Sequence, residues 1–172
     1  EGLDKDKIHL NETVQQIDTE NHRLETDVRS YEYEYLIVSI PLNYLVKIIN
    51  DIPIDATVFS YNQVLVFNLG FDGPSIDKHI HWIYVPEKDI NFYRVGFYNN
   101  IIGTKNLSIY VEIGYDKEFI ITPEEIDKQL NLTLKNLKSL KIINQHKLLE
   151  QQALIMNPAY VHITQQSLKE VD

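Results

Sequence analysis

The residues best equipped for chemistry lie in one stretch, His79 to Tyr98, which holds the only tryptophan of the chain and one of its three arginines. Side chains alternate across a strand, so Trp82 and Tyr84 would share one face and Ile83 and Val85 the other. On a following strand Phe92, Arg94, Gly96 and Tyr98 share a face. If the two strands pair as a hairpin, Trp82, Tyr84 and Arg94 converge. A guanidinium among tyrosines suits a phosphate or diphosphate, because its planar fork makes bidentate, charge-assisted bonds and the phenols add donors. Tryptophan beside them offers a flat apolar wall to a sugar or base. A second reading stays open: Arg94 pairs with a nearby carboxylate such as Glu87 or Asp89, and the aromatic strands are core.

Other chemistry is thinly represented. His79 and His81 lie on one strand face, but nothing supplies an obvious third ligand, so no metal is expected. Cysteine is absent, which excludes disulfides, thiolate metal sites and a thiol nucleophile. There is no GxGxxG or GxxxxGK[ST] phosphate loop, no GxSxG elbow and no HExxH pair. Asn11, Asn106 and Asn131 begin glycosylation-type triplets, a match frequent by chance. The residues alone offer no complete active site.

The elements that must position the hairpin read as follows. Lys7–Leu10, Thr13–Asp18 and Arg23–Val28 are short alternating runs that predict strands. Tyr31–Tyr35 alternates and runs into Leu36–Ile40, predicting a strand that begins exposed and ends buried on both faces. Pro41 opens a helix to Asp51 with Leu42, Leu45, Val46 and Ile49 on one face. Asp51–Asp55 reads as a linker, dividing the chain into segments 1–51 and 52–172. Strands are predicted over Gln63–Leu69, His79–Val85, Asn91–Tyr98 and Asn106–Tyr115, with connections short enough for an antiparallel meander. Thr122-Pro-Glu-Glu125 is a capped start for a helix to about Leu140. Leu149–Thr164 reads as a strand interrupted at Asn157-Pro158. The fold class expected is α+β: a mostly antiparallel sheet with flanking helices.

Composition narrows the partners. A formal charge of −9 argues against wrapping nucleic acid, which needs clustered Lys and Arg. No apolar run approaches the roughly 18 residues of a membrane span, and no cationic start precedes an apolar stretch. Lack of cysteine fits a cytoplasmic setting, which is the expectation. The chain opens Glu1-Gly2 and keeps its single methionine at position 156, which predicts a segment of a longer protein.

His81-Trp-Ile-Tyr-Val-Pro-Glu-Lys-Asp-Ile-Asn-Phe-Tyr-Arg-Val-Gly-Phe-Tyr-Asn-Asn100 resembles the W-x-Y-F-P-E … F-Y-R segment of the larger, eukaryotic-type UDP-galactopyranose mutases and related lipopolysaccharide-biosynthesis flavoproteins. His9–Ile17 and Tyr35–Leu42 resemble two strands of their FAD-binding domain, and Asn157–Tyr160 their A/G-Y-P segment. The outer matches are shared with amine oxidases, phytoene desaturases and protoporphyrinogen oxidases. Val85, Asn91, Asn99 and Val161 depart from the family's Phe, Pro, Ser and Pro. The resemblance implies that Tyr84, Arg94 and Tyr160 contact a UDP diphosphate and that Trp82 lines the same pocket. It implies that Val14 touches the adenine of FAD through its backbone, with Ile40 and Pro41 near the dinucleotide.

The implied parent is a flavin-dependent UDP-sugar mutase of surface-polysaccharide synthesis, its catalysis carried by flavin N5. Residues 1–51 would be a β-piece of the FAD domain and 52–172 the substrate domain. No catalytic residue is expected in this chain, which alone would bind no FAD, turn over nothing and depend on the rest of its parent. The alternatives are an amine oxidase-like or desaturase-like flavin oxidoreductase, and a non-catalytic sugar-nucleotide or protein-binding module.

Overall fold

A computed structural model describes residues 4–50 and 53–169. The chain forms two compact units, Glu1–Ser60 with Val161–Asp172, and Tyr61–Tyr160.

In the first unit, β1 (Val14–Asp18), β2 (Arg23–Thr26) and β3 (Ser30–Glu32) form an antiparallel sheet in that order. Helix α1 (Leu42–Ile48) follows, and Ile17 in β1 makes a parallel bridge to Ile49. Two sequence expectations fail here. Residues 8–10 are not strand, Lys5–Lys7 being a short 3-10 turn. Leu36–Ile40 is also not strand, and Ile37 is 96% exposed rather than buried. A strand needs a neighbour for its backbone groups, and no strand flanks this run among the described residues. Short helix α4 (Gln165–Lys169) also belongs to this unit.

The second unit is built on a five-stranded sheet in the order β5-β6-β7-β4-β8. Its strands are β4 (Tyr61–Phe71), β5 (Trp82–Tyr84), β6 (Arg94–Phe97), β7 (Ser108–Asp116) and β8 (Leu148–Val161), the last residue of which falls in the first unit. β5–β6, β6–β7 and β4–β7 pair antiparallel. Asn68 meets Gln152 while Tyr160 meets Asn62, so β8 also runs against β4. The order departs from a simple meander because β4 lies between β7 and β8. Its residues Gln63 to Phe67 are all buried, and a strand buried on both faces satisfies its backbone only with a neighbour on each side. The interruption expected at Asn157-Pro158 is absent. β8 ends the strand order, and an edge strand tolerates a residue without an N–H.

One face of this sheet makes the core. Leu65, Phe67, Leu69 and Phe71 of β4 join Val95, Phe97, Ile109, Val111 and Ile113 of β6 and β7. Helix α3 (Pro123–Ser139) lays its apolar stripe, with Leu137 fully buried, over that cluster. The helix starts where the sequence predicts: Thr122 Oγ1 accepts from the Glu125 amide at 3.3 Å, and Pro123 occupies the first turn. Between β6 and β7 lies a short helix, α2 (Tyr98–Ile102), which replaces the expected end of a strand and closes at Gly103 with φ 81°. Glycine adopts that left-handed conformation without the steric cost other residues bear.

Candidate functional site

The face of the sheet away from α3 is built by alternation. Cross-strand register aligns Tyr84, Arg94, Glu112 and Val66 in one row, and Trp82, Gly96, Tyr110 and Asn68 in the next. Trp82 and Tyr84 are 57% and 64% exposed. The expected hairpin is present: beyond its paired residues, the Val85 amide donates to Tyr93 O at 2.9 Å and the Phe97 amide to His81 O at 2.8 Å. Its loop is tied to α3 by Asn91, whose Nδ2 donates to Thr133 Oγ1 at 2.9 Å while its Oδ1 accepts from Asn136 Nδ2 at 2.9 Å.

Arg94 is the centre of a polar cluster. Its Nε donates to Glu112 Oε1 at 3.0 Å, and one terminal nitrogen reaches the same oxygen and, at 3.0 Å, the Tyr160 hydroxyl. Glu112 Oε2 accepts from Tyr93 at 2.5 Å and from Tyr160 at 3.4 Å. The guanidinium lies 6.0 Å from the Tyr84 ring centroid and 5.6 Å from that of Tyr110, within cation–π range. A Cβ on Gly96 would fall 2.0 Å from the Tyr110 ring, so glycine makes room for that ring over β6. Tyr98 packs on Tyr110 at 5.1 Å and its hydroxyl donates to Asn68 Oδ1 at 3.2 Å.

Burial shapes the titration of this cluster. Burial first, then the hydrogen bond to Glu112, push the Tyr93 phenol well above its ordinary value. Burial also raises Tyr110. Desolvation opposes the charge on Arg94, yet hydrogen bonds to Tyr84 and Glu112 and the carboxylate's charge outweigh it, so the guanidinium stays firmly protonated.

Trp82, Tyr84, Arg94 and Tyr160 thus lie in one unit, with Tyr84, Arg94 and Tyr160 in direct interaction. The carboxylate that Arg94 meets is Glu112, across the sheet, not Glu87 or Asp89. Glu112 and Tyr110 escaped notice in the sequence, although Asn106–Tyr115 read as a strand and its alternation puts both on one face. Val14 opens β1, and Ile40 and Pro41 lead into α1 in the first unit. A groove of about 360 Å³ in that unit is lined by Ile17, His22, Tyr33, Leu36, Val38 and Leu45, among others, but not by Val14, Ile40 or Pro41. These three carry no hydrogen-bonding side chain, so any contact they make to a dinucleotide is through backbone atoms or apolar surface. Among the described residues no group of three or more His, Asp or Glu is placed to hold a metal ion. Among the described residues no helix is long and apolar enough to cross a membrane.

No family model and no curated protein matches the sequence. Solved structures do match the fold. Reduced UDP-galactopyranose mutase aligns with a TM-score of 0.66 at 16% identity, over 86% of this chain and 34% of that one. A putative protoporphyrinogen oxidase from Exiguobacterium sp. 255-15 aligns with a TM-score of 0.59 at 14% identity, over 93% of this chain and 39% of that one. A fatty acid isomerase producing CLA, from P. acnes, aligns at 0.52 and 15% identity, over 92% of this chain and 37% of that one. The chain spans little more than a third of each, and its α+β architecture is the fold of that part of these proteins.

Proposed function

We propose that this chain supplies the diphosphate-contacting sheet of a longer, FAD-dependent UDP-sugar mutase that interconverts UDP-galactopyranose and UDP-galactofuranose. Surface-polysaccharide synthesis in the cytoplasm is the setting proposed. The observation that carries the reading is the hydrogen bond between Arg94 and Tyr160, residues 66 apart in sequence, beside the Tyr84 ring. An arginine and several phenols on an accessible sheet face offer a diphosphate both charge and hydroxyl donors. Trp82, two strand positions from Tyr84, would line the same pocket. Trp82 and Tyr84 are exposed on this sheet face, which suits a site whose remaining walls come from elsewhere.

Val14, Ile40 and Pro41 are proposed to lie against FAD in the longer protein, with residues 1–51 belonging to its flavin domain and 52–172 to its substrate domain. FAD would supply the covalent chemistry, and the dinucleotide's phosphate cradle would come from outside this chain. The test is titration of the full-length protein with UDP: Arg94→Ala should abolish binding, and undiminished binding would sink the diphosphate role.

The likeness to a putative protoporphyrinogen oxidase supports a second reading, an FAD-dependent oxidoreductase on the same scaffold. Reduced full-length protein incubated with UDP-galactofuranose separates the two. UDP-galactopyranose forms on the first reading and not on the second.

A further inference from the structure

On the reading of Arg94 as a diphosphate contact, we infer that Glu112 sets the charge this site accepts. It lowers the preference that the guanidinium alone would give for a terminal phosphate dianion over a diphosphate diester, in which each phosphoryl group carries one charge. Glu112 is the one carboxylate hydrogen-bonded to Arg94 among the described residues, and its side chain is only 7% exposed. It is held in place from both sides. Oε1 takes two nitrogens of Arg94, and Oε2 takes the hydroxyls of Tyr93 and Tyr160. The carboxylate therefore cannot swing away when an anion arrives, and the guanidinium reaches the ligand already half-neutralised.

An anion on the far side of Arg94 gains from the guanidinium but is repelled by a carboxylate one residue-width behind it. Little water screens that repulsion, and it grows with ligand charge. At a separation of about 7 Å and an effective dielectric of 20–40, that repulsion cancels roughly one order of magnitude of the affinity each extra negative charge gains from Arg94. Glu112 thus sets how strongly the guanidinium favours a terminal phosphate over a diester.

The experiment is calorimetric titration of the full-length protein at pH 8 with UDP-galactose and with UDP, whose terminal phosphate is then a dianion. Glu112→Gln keeps the shape and still accepts from Arg94 through its amide oxygen. The variant should tighten UDP about tenfold more than it changes UDP-galactose. Equal effects on both ligands, or a greater loss for UDP, would overturn the inference. Arg94→Ala is the control for the underlying reading. If it weakens neither ligand, that reading fails; if it weakens both while Glu112→Gln leaves their ratio unchanged, only the charge selection fails. Glu112→Asp is the second variant: it keeps the charge and should leave the ratio of the two affinities near that of the unaltered protein. A change in that ratio as large as that of Glu112→Gln would refute the role of Glu112's charge.

Discussion

Removing Arg94 and neutralising Glu112 should have very different costs, although both break one ion pair. Arg94→Ala strands a carboxylate whose side chain is 7% exposed. Losing one partner of a buried pair costs about 3–5 kcal/mol, because the other charge stays behind without solvent. Tyr93 and Tyr160 still donate to Glu112, which puts the expected loss at the lower end, about 3 kcal/mol. Glu112→Gln instead leaves a guanidinium that is 22% exposed and can be hydrated, at a cost of about 1 kcal/mol. The double variant contains neither charge. It should be more stable than the sum of the single losses by about 1–2 kcal/mol. Urea unfolding of the four proteins, followed by circular dichroism, closes the cycle. Strict additivity, or an Arg94→Ala protein as stable as the parent, would refute the view that Arg94 and Glu112 stabilise one another.

Gly96→Ala should push the Tyr110 ring off β6, since the new methyl would lie 2.0 Å from it; a loss of about 1–3 kcal/mol in urea and weaker ligand binding are expected. Leu137→Ala, at a fully buried position of α3, should cost about 2–5 kcal/mol in the same assay. The raised Tyr93 and Tyr115 phenols favour the neutral form in the folded state, chiefly through burial and then hydrogen bonds to Glu112 and Glu125. Their contribution is therefore complete below the ordinary phenol value of about 10 and is lost as pH rises beyond it towards the folded values. Thermal unfolding between pH 8 and 11 should show that decline, and Tyr93→Phe should lessen it.

Local chemistry was readable where it acts locally. Thr122, Pro123 and Glu125 announce α3 because a cap, a first-turn proline and an acidic first turn lie within four residues, and the helix begins there. Alternation placed Trp82 and Tyr84 on one face for the same reason. What the sequence hid depends on partners distant along the chain. Arg94 is 18 residues from Glu112, and only the β6–β7 register brings them opposite, so the search for a carboxylate turned to Glu87 and Asp89 nearby. Leu36–Ile40 has the composition of a buried strand, but composition cannot supply a neighbouring strand. Helix α2 was missed because its five residues are too few to show a helical period.

The division of the five-stranded sheet into two faces follows residue parity. On β6 and β7 the odd positions Val95, Phe97, Ile109, Val111 and Ile113 fill the core, while the even positions Arg94, Gly96, Tyr110 and Glu112 carry the polar cluster. Evolution can therefore rewrite one set without disturbing the other. A lineage could exchange the even residues, and with them its ligand, while inheriting the packing against α3 unchanged. A mutase, a putative oxidase and an isomerase share this architecture at 14–16% identity with the present chain. A scaffold whose working surface and whose stability are written on alternate residues is free to diverge in that way.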